Sequence, residues 1–373
     1  MKAEASLAQI LRGVILGKTQ CPAAVAFAGD GFPDQPRAID IQANDDTAAI
    51  ALKIHEALAE APIPDLLTLR HRQKNYTYKI TSGTFPKNRS TVVKNRVAVV
   101  TGGARGFGAE IARGLVADGA TVYIADLNYD GARERAEILN NEYNNGGAVA
   151  FPVEVNVSNE GSVAKMCETI ALQSGGIDLC ISNAGIVKSV SSIMEQDIDD
   201  FRLVTDVNYI AFAIVTKHVA GMMKTQHVAS RVVRNDSPWM ADIIQINSKS
   251  GLVGSNKNAS YAGSKFGGIG LVQSFAKELV EWGIKVNAIC PGNFFDTPLW
   301  SDPDKGLFIQ YLRAGKAPGA KSVADVKAFY EAQVPMRRGC TGPDVIRAIY
   351  YLVEQLYETG QALPVTGGQV MIN

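Results

Sequence analysis

The chain has 373 residues, 46% of them hydrophobic, and its 37 basic side chains balance 37 acidic ones. This balance argues against a general electrostatic attraction to nucleic acid or to an anionic membrane surface, so we expect neither partner. The five cysteines form no C-x-x-C pair and the four histidines have no metal-ligand spacing, which favours reduced thiols, no metal and a cytoplasmic location. The N-terminal segment lacks the continuous apolar core of a signal peptide, and no run approaches the ~18 apolar residues that span a bilayer.

Residues 1–94 differ in pattern from the rest and are predicted to form an N-terminal extension of unclear fold. The segment CPAAVAFAGD is typical of a buried strand, and NDDTAAIALKIHEALAEAP predicts a helix that ends before Pro62 and Pro64. The basic stretch RHRQKNYTYKITSGTFPKNRSTVVKN indicates a linker or surface arm. We therefore interpret the extension as a small α/β module with a basic linker. Its role stays open between an interaction or oligomerisation module and the relic of a second domain.

Alternating strands and helices begin at about residue 95 and continue along the chain. The short apolar runs RVAVVTGG, TVYIADL, AVAFPVEV, IDLCISNAG, ADIIQINS and IKVNAICPG are typical of parallel strands covered on both faces. Helices are expected between them, including one from about Glu160, a long one near 197–224 and one from about Ser260. Residues 95–373 are therefore predicted to form one doubly wound α/β domain of the Rossmann type.

A glycine-rich turn, TGGARGFG at residues 101–108, follows the first of these strands and precedes a helix. Glycines there permit a tight turn and let the backbone approach a pyrophosphate at the positive end of the helix. Asp126 ends the next strand, where a carboxylate can bind an adenosine ribose diol and repel a 2′-phosphate, so NAD is expected rather than NADP. As bare sequence, Asp126 could instead be a helix cap or a turn residue. The small residues of SNAG, at residues 182–185, would let a cofactor lie flat against the backbone, although the segment could equally be an ordinary loop.

Ser248, Tyr261 and Lys265 are the candidates for acid/base chemistry. Tyr261 and Lys265 are four residues apart at the start of a helix, so they share a face. A neighbouring ammonium, together with the positive charge of oxidised nicotinamide, favours the phenolate and lowers the pKa of the phenol. A phenol tuned in this way can take the proton of an alcohol. Ser248 ends a strand upstream, where its hydroxyl could orient the substrate oxygen. A lone Tyr-x-x-x-Lys pair would more often be a solvated helix face.

In this order, the glycine-rich turn, Asp126, SNAG, Ser248 with YAGSK, and the PG pair after the sixth strand resemble the classical short-chain dehydrogenases/reductases over residues 96–373. The resemblance implies Tyr261 as acid/base, Ser248 as the group that orients the substrate, and Lys265 as the group that binds the nicotinamide ribose. It adds Asn208 as the fourth member of the site, although a solvent-facing helix residue was the alternative. It also implies a homo-oligomer, a dimer or a tetramer, with the helices near 200–224 and 261–282 at the interface.

The resemblance further implies which residues bind NAD along the carboxyl edge of the sheet. One departs from the family pattern, since Asn156 stands where the family usually has an aspartate that contacts the adenine. The expected cofactor-binding residues are Gly102, Arg105, Gly106, Phe107, Gly108, Asp126, Leu127, Asn156, Val157, Asn183, Ala184, Gly185, Tyr261, Lys265, Pro291 and Gly292.

Segments outside the shared motifs, IIQINSKSGLVGS, FGGIGL, VPMRRGC and VTGGQVM, resemble the members of the family that act on a sugar-alcohol phosphate. Such a substrate would give a role to several polar and basic side chains, although each charge could be a solvated surface group. The substrate-binding candidates are Ser248, Lys249, Lys257, Asn293, Arg337 and Arg338. Two alternatives stay open, a dehydrogenase of an unphosphorylated polyol or other secondary alcohol, and a non-catalytic NAD-sensing protein.

Overall fold

Two β-sheets organise the chain in the computed structural model. The structure describes residues 2–19, 23–30, 38–59, 63–82, 92–143, 147–188, 191–234 and 240–371. A four-stranded sheet lies before residue 83, and a seven-stranded sheet begins at residue 97. Among the helices of the described residues, none combines the length and the apolar character needed to cross a membrane.

The N-terminal sheet has the strand order β1-β4-β3-β2, with β2 parallel to β3 and the other pairs antiparallel. The expected strand and helix of this region are both present, as β1 and α2. The helix starts after Asp46, whose carboxylate accepts the backbone N–H of Ala49. The elements are α1 (Ala3–Thr19), β1 (Ala23–Asp30), β2 (Ile39–Ile41), α2 (Thr47–Ala57), β3 (Leu66–His71) and β4 (Lys74–Ser82).

Part of the stretch interpreted as a linker or surface arm is a strand of this sheet. In β4, the buried side chains of Tyr76, Tyr78 and Ile80 alternate along one face, and Thr77 makes a buried hydroxyl contact with Thr68 at 2.9 Å. The linker interpretation was wrong for β4 because the local excess of lysine and arginine concealed a period-two apolar pattern. Residues 83–91 of that stretch lie outside the described residues.

The second sheet is all parallel and has the order β11-β10-β9-β8-β5-β6-β7. This confirms the predicted doubly wound fold. The strand order reverses between β5 and β8, so the carboxyl ends of these neighbours border the crevice where such sheets bind ligands. The strands are β5 (Val97–Thr101), β6 (Thr121–Asp126), β7 (Ala150–Glu154), β8 (Leu179–Ser182), β9 (Ala241–Ile246), β10 (Ile284–Pro291) and β11 (Ala362–Val365).

Helices cover both faces of this sheet with two separate apolar cores. One core involves α3, α4 and α12, and the other involves α5, α7 and α8. The single helix expected near 197–224 is instead α6 and α7, joined by a π-helical turn at Asp206–Ile210. The helices are α3 (Gly106–Ala117), α4 (Tyr129–Glu142), α5 (Glu160–Ser174), α6 (Ile198–Thr205), α7 (Ala211–Val233), α8 (Ala259–Leu279), α9 (Pro298–Ser301), α10 (Leu307–Arg313), α11 (Val323–Ala332) and α12 (Gly342–Glu354).

The N-terminal region packs tightly onto the second sheet through α1 and α7. A Cβ at Gly13 would overlap the Gln226 carbonyl oxygen, and one at Gly17 would lie 2.6 Å from the Ser230 carbonyl oxygen, so the two helices touch through their backbones. The fully buried Arg12 forms a bidentate ion pair with Asp178, just before β8, at 2.6 and 2.7 Å. Residues 1–94 are therefore anchored to the second sheet by a buried charge pair.

Candidate active site

The glycine-rich turn and the SNAG segment are bonded to each other at the carboxyl ends of β5 and β8. The Thr101 hydroxyl oxygen accepts the backbone N–H groups of Asn183 and Ala184 at 3.0 and 3.1 Å. In return, the Asn183 amide donates to the carbonyl oxygens of Thr101 and Gly102 at 2.9 and 3.1 Å. SNAG is thus a fixed wall of the crevice, held by side-chain bonds to the turn.

Glycines keep this crevice open for a ligand that lies against the backbone. Gly102 and Gly106 have φ values of +63° and +59°, which favour glycine. A Cβ at Gly108 would overlap the Gly102 carbonyl oxygen and lie 2.7 Å from the Asn183 amide nitrogen. The N-terminus of α3 opens here, with Arg105 at its N-cap and Phe107 packed on Phe294 at 4.5 Å between ring centroids. The arrangement fits a diphosphate at the positive end of a helix.

Asp126 lies at the next position along the same edge. Its carboxylate accepts the backbone N–H of Ala104 at 3.1 Å, which ties it to the glycine-rich turn, and that of Asn128 at 3.0 Å. The N-cap of α4 is Asn128, whose side chain accepts the Gly131 N–H. The helix-cap alternative for Asp126 is therefore wrong. Leu127 beside it is 69% exposed, so its side chain is available to a ligand.

The remaining expected cofactor residues border the crevice on either side. Asn156 follows β7, and its side-chain oxygen accepts the Ser158 N–H at 3.1 Å, while Val157 is buried. After β10, the Gly292 N–H donates to the Val365 carbonyl oxygen at 2.9 Å. The Asn293 carbonyl oxygen accepts the Cys340 N–H at 2.8 Å. The buried Pro291 ends β10, so this loop is held against β11 at the edge of the site.

Ser248, Tyr261 and Lys265 come together as the sequence predicts. The side chains of Ser248 and Tyr261 are hydrogen bonded to each other. The Ser248 hydroxyl oxygen also accepts the Ser250 N–H at 3.1 Å in the short 3-10 turn that follows β9. The Lys265 ammonium lies 5.6 Å from the centroid of the Tyr261 ring and donates to the Ile246 carbonyl oxygen at 3.0 Å. A phenol, a hydroxyl and an ammonium thus border one point of the crevice.

Burial controls the protonation of these groups. Burial raises the pKa of Tyr261, and the hydrogen bond with Ser248 opposes that rise. Burial also lowers the pKa of Lys265 to about 8. The expected lowering of the Tyr261 pKa includes the positive charge of oxidised nicotinamide, and without that charge the loss of hydration dominates. The resting phenol is protonated, ready to donate, and becomes a base only when additional positive charge favours the phenolate.

Asn208 is buried in the π-helical turn, and the solvent-facing alternative is wrong. Its side-chain oxygen accepts the Ile186 N–H at 2.8 Å, and its nitrogen donates to the Ile186 carbonyl at 2.9 Å and the Ser264 hydroxyl at 3.3 Å. A polar cavity with room for about one water molecule separates Asn208 from Lys265 and Gln245. π-turns often occur at functional sites, and here the turn aims an amide at the wall that carries SNAG.

Lys249 is a partly buried cation beside Ser248. Burial lowers the pKa of Lys249 to about 8. Within the described residues, its ammonium has no recorded hydrogen bond or ion pair. Burying a charge without a partner is costly, so an anion beside this ammonium would be favourable.

Two residues that no sequence motif predicts lie near Tyr261: Tyr311 in α10, and Lys316 shortly after that helix. Tyr311 lies in a small aromatic core with Trp300 and Phe308, and its pKa is raised by burial and by neighbouring phenols that include Tyr261. The Lys316 ammonium lies over the Tyr311 ring, 4.5 Å from its centroid. Burial and the nearby charge of Lys257 lower the Lys316 pKa. No local sequence pattern specifies the placement of either residue, because it depends on tertiary packing.

Arg337 and Arg338 both donate hydrogen bonds to acceptors within the chain. Arg338 forms a bidentate ion pair with Asp344 at 2.6 and 3.0 Å, and this pair lowers the pKa of Asp344 to about 2. Arg337 donates to the Ala332 carbonyl oxygen at 2.7 Å. No recorded contact among the described residues joins either arginine to Ser248. Each arginine thus donates to an acceptor within the chain, and the contact of either with the substrate stays a prediction.

Four cysteines, Cys167, Cys180, Cys290 and Cys340, are free and buried, whereas Cys21 lies outside the described residues. The described side chains include no group of three or more possible metal ligands. Tyr261 can transfer a proton, and it lies next to a crevice shaped for a dinucleotide.

Comparisons with known proteins agree with this geometry. A family model described as short chain dehydrogenase matches residues 96–306. The chain is 34% identical to sorbitol-6-phosphate 2-dehydrogenase of Escherichia coli K12 over 280 residues, 74% of this chain and 99% of that protein. It is 29% identical to a 3-oxoacyl-[acyl-carrier-protein] reductase of Staphylococcus epidermidis, over 74% of this chain and all of the relative.

A solved structure gives the same result. The crystal structure of sorbitol-6-phosphate 2-dehydrogenase from Erwinia amylovora superposes with a TM-score of 0.65 at 34% identity, over 74% of this chain and 100% of that one. The resemblance inferred from the motifs is confirmed, and with it an oxidoreductase that uses a nicotinamide cofactor and a small-molecule substrate. The chain belongs to the short-chain dehydrogenase family.

Proposed function

We propose that the protein is an NAD-dependent dehydrogenase that oxidises D-sorbitol 6-phosphate at C2 to D-fructose 6-phosphate. The observation that carries the proposal is the partly buried, unpaired ammonium of Lys249 next to Ser248, which suits an anionic substrate. The two relatives named for sorbitol 6-phosphate, each 34% identical over nearly their whole lengths, support the same substrate. A neutral polyol would leave the Lys249 charge without a partner.

In the proposed reaction, Ser248 and Tyr261 hold the substrate hydroxyl oxygen between them. Tyr261, as phenolate, takes the hydroxyl proton while the C2 hydrogen leaves as hydride, and the C2–O bond becomes a carbonyl. When bound, NAD supplies the acceptor for that hydride. Ser248 donates to the same oxygen and stabilises the charge that develops on it. Lys265, whose ammonium lies near the Tyr261 ring, would hold the nicotinamide ribose and favour the phenolate.

The proton that Tyr261 takes up would reach solvent through Lys265 and a water molecule beside it. The cavity between Lys265 and Asn208 has room for about one water molecule and polar groups to bind it. Such a water would link the ammonium to the amide that clamps Ile186. Asn208 therefore completes the proposed catalytic set with Ser248, Tyr261 and Lys265.

The preference for NAD over NADP follows from Asp126. Its carboxylate is fixed at the end of β6 by the Ala104 and Asn128 N–H groups and accepts no recorded bond from a cationic side chain among the described residues. A 2′-phosphate at that position would face this negative charge, whereas a ribose diol could donate to it. Gly102, Gly106 and the N-terminus of α3 would cradle the diphosphate.

The substrate phosphate would lie between cations on two sides of the catalytic pair. Lys249 lies in the turn after β9, and Lys257 lies in the exposed connection that follows it. Lys316 lies over the Tyr311 ring and is close enough to Lys257 for their charges to interact. Lysine binds phosphate as a point charge, whereas the planar guanidinium of arginine binds it through two donors in fixed geometry. Three lysines can therefore bind the phosphate in several positions of a flexible sugar chain. We do not assign this role to Arg337 or Arg338, because each already has an intramolecular acceptor.

Residues 95–373 are proposed to act as the NAD-binding catalytic domain, with residues 1–94 as an attached module that braces α7 and β8. The expected dimer or tetramer stays a prediction, and sedimentation or light scattering would measure it. The module bears on that prediction, because α1 already covers part of α7 around Gln226 and Ser230.

A panel of substrates tests the function. Purified protein is supplied with NAD or NADP and with sorbitol 6-phosphate, free sorbitol or galactitol, and NADH absorbance is followed. We expect turnover of the phosphate ester with NAD and little with the free polyols. Equal turnover of free polyols would favour the unphosphorylated alternative. If the wild type turns over substrate and Tyr261→Phe does not, although the variant still binds NADH, the protein is not a non-catalytic NAD sensor.

A further inference from the structure

Asn247 joins the two segments that carry the catalytic side chains. Its side-chain oxygen accepts the backbone N–H of Ser248 at 2.8 Å. Its side-chain nitrogen donates to the backbone carbonyl oxygen of Lys265 at 2.9 Å and to the side-chain oxygen of Gln245 at 2.8 Å. One buried amide therefore bonds the end of β9 directly to the first turns of α8.

Two glycines leave the space that this amide needs. A Cβ at Gly251 would overlap the Asn247 side-chain oxygen and lie 3.0 Å from the Lys265 carbonyl oxygen. A Cβ at Gly268 would lie 2.7 Å from the Gln245 amide nitrogen and 3.1 Å from that of Asn247. The bonds of Asn247 thus fill a pocket enclosed by backbone, and neither a larger side chain nor a water molecule has an evident place there.

The chain that connects these segments lies at the surface. Residues 252–258 join the turn after β9 to α8, and Val253, Gly254, Asn256 and Lys257 are exposed. The Lys265 side-chain nitrogen gives a second connection, to the Ile246 carbonyl oxygen at 3.0 Å, but it does so from the end of a long side chain. The Asn247 bonds do not depend on protonation near neutral pH, so they hold the two segments in register whatever the charge of Lys265.

We propose that Asn247 is a positioning residue that sets the separation of the Ser248 hydroxyl from Tyr261 and Lys265. The inference rests on the proposed function only in taking these three side chains as the reacting groups. A shift of about 1 Å between reacting groups can cost roughly 100-fold in rate. Loss of the amide should therefore lower kcat more than it changes substrate or cofactor binding.

The test compares Asn247→Ala with Asn287→Ala as a matched control. Asn287 is also a buried asparagine that bridges backbone groups, to the Glu358 carbonyl and the Gln361 N–H at 3.0 Å each, but it lies in the middle of β10. We expect Asn247→Ala to lower kcat by roughly 10- to 100-fold with less than about threefold change in the Kd of NADH. Asn287→Ala should lower the melting temperature by a similar amount and change kcat by less than about twofold.

The outcomes separate this inference from the substrate assignment. Kinetics use whichever alcohol the wild type oxidises, so failure with sorbitol 6-phosphate alone would count against the proposed function and not against Asn247. An unchanged kcat in Asn247→Ala, or parallel losses of kcat and stability in both variants, would overturn the positioning role. Amide hydrogen exchange adds a readout independent of turnover, since Ser248 N–H should exchange faster in Asn247→Ala, and unchanged protection would contradict the proposed bond.

Discussion

The ion pair between Arg12 and Asp178 should control the stability of the whole chain, although one partner lies in the N-terminal extension. Both side chains are fully buried. Arg12 also donates to the Ala23 carbonyl oxygen at 2.6 Å, and Asp178 accepts the Val97 N–H at 2.8 Å. Arg12→Ala would leave a buried carboxylate with only uncharged donors, a change that typically costs about 3–5 kcal/mol. A domain of ordinary stability has roughly 5–15 kcal/mol to lose.

Urea unfolding of four proteins measures this loss: the wild type, Arg12→Ala, Asp178→Asn and the double variant. Because Asp178→Asn removes the charge that Arg12 balances, the double variant should be less destabilised than the sum of the single variants, with a coupling free energy of at least about 1 kcal/mol. The control is Arg202→Ala, which breaks an exposed pair with Asp199 and should change the free energy of unfolding by no more than about 0.5 kcal/mol.

Additive losses, or a loss below about 1 kcal/mol in Arg12→Ala, would refute the reasoning. If the coupling is found, removal of residues 1–94 should destabilise the catalytic part, because it would expose the α7 face and leave Asp178 without its cation. The extension would then be an integral brace of the enzyme rather than a separable interaction module.

Three further predictions concern single side chains. Asp126→Ala should raise kcat/KM with NADP relative to NAD by about tenfold or more, measured with both cofactors, since it removes the charge that would repel a 2′-phosphate. Burial lowers the pKa of Lys249 to about 8. The KM for sorbitol 6-phosphate, measured as a function of pH, should therefore rise above about pH 8 as the ammonium loses its proton. Lys249→Met should raise the same KM by about tenfold already at neutral pH. The pKa of Asp344 is lowered from 3.8 to about 2, so its ion pair with Arg338 stabilises the fold above pH 3.8 and loses this effect as the pH falls toward 2. Arg338→Ala should therefore lower the melting temperature at pH 7 but hardly change it at pH 2.

The sequence predicts most of the second sheet because its strands are short, continuous apolar runs. Six of the seven strands were expected, and the exception, β11 with the sequence ALPV, is brief and half-buried. β4 was missed for a related reason, since its apolar face alternates with lysines and threonine. A strand that is buried on both faces is a continuous apolar run, which is easier to recognise in the sequence than the alternating pattern of a strand buried on one face.

The site was predictable where function depends on motifs and unpredictable where it depends on packing. Ser248, Tyr261 and Lys265 are marked by spacing, and the fold brings them together as expected. Tyr311 lies near Tyr261, and Lys316 lies over the Tyr311 ring, through tertiary packing that no local pattern specifies. The charges of Arg337 and Arg338 favoured a phosphate contact, but the nearness of Asp344 to Arg338 depends on the capped start of α12.

The most direct test of the central claim is the initial rate of NADH formation with sorbitol 6-phosphate and with free sorbitol, for the wild type and for Tyr261→Phe. The account predicts a rate with the phosphate ester that greatly exceeds the rate with free sorbitol, and its loss in Tyr261→Phe while NADH still binds. Equal rates with both polyols, or turnover that survives in Tyr261→Phe, would contradict it.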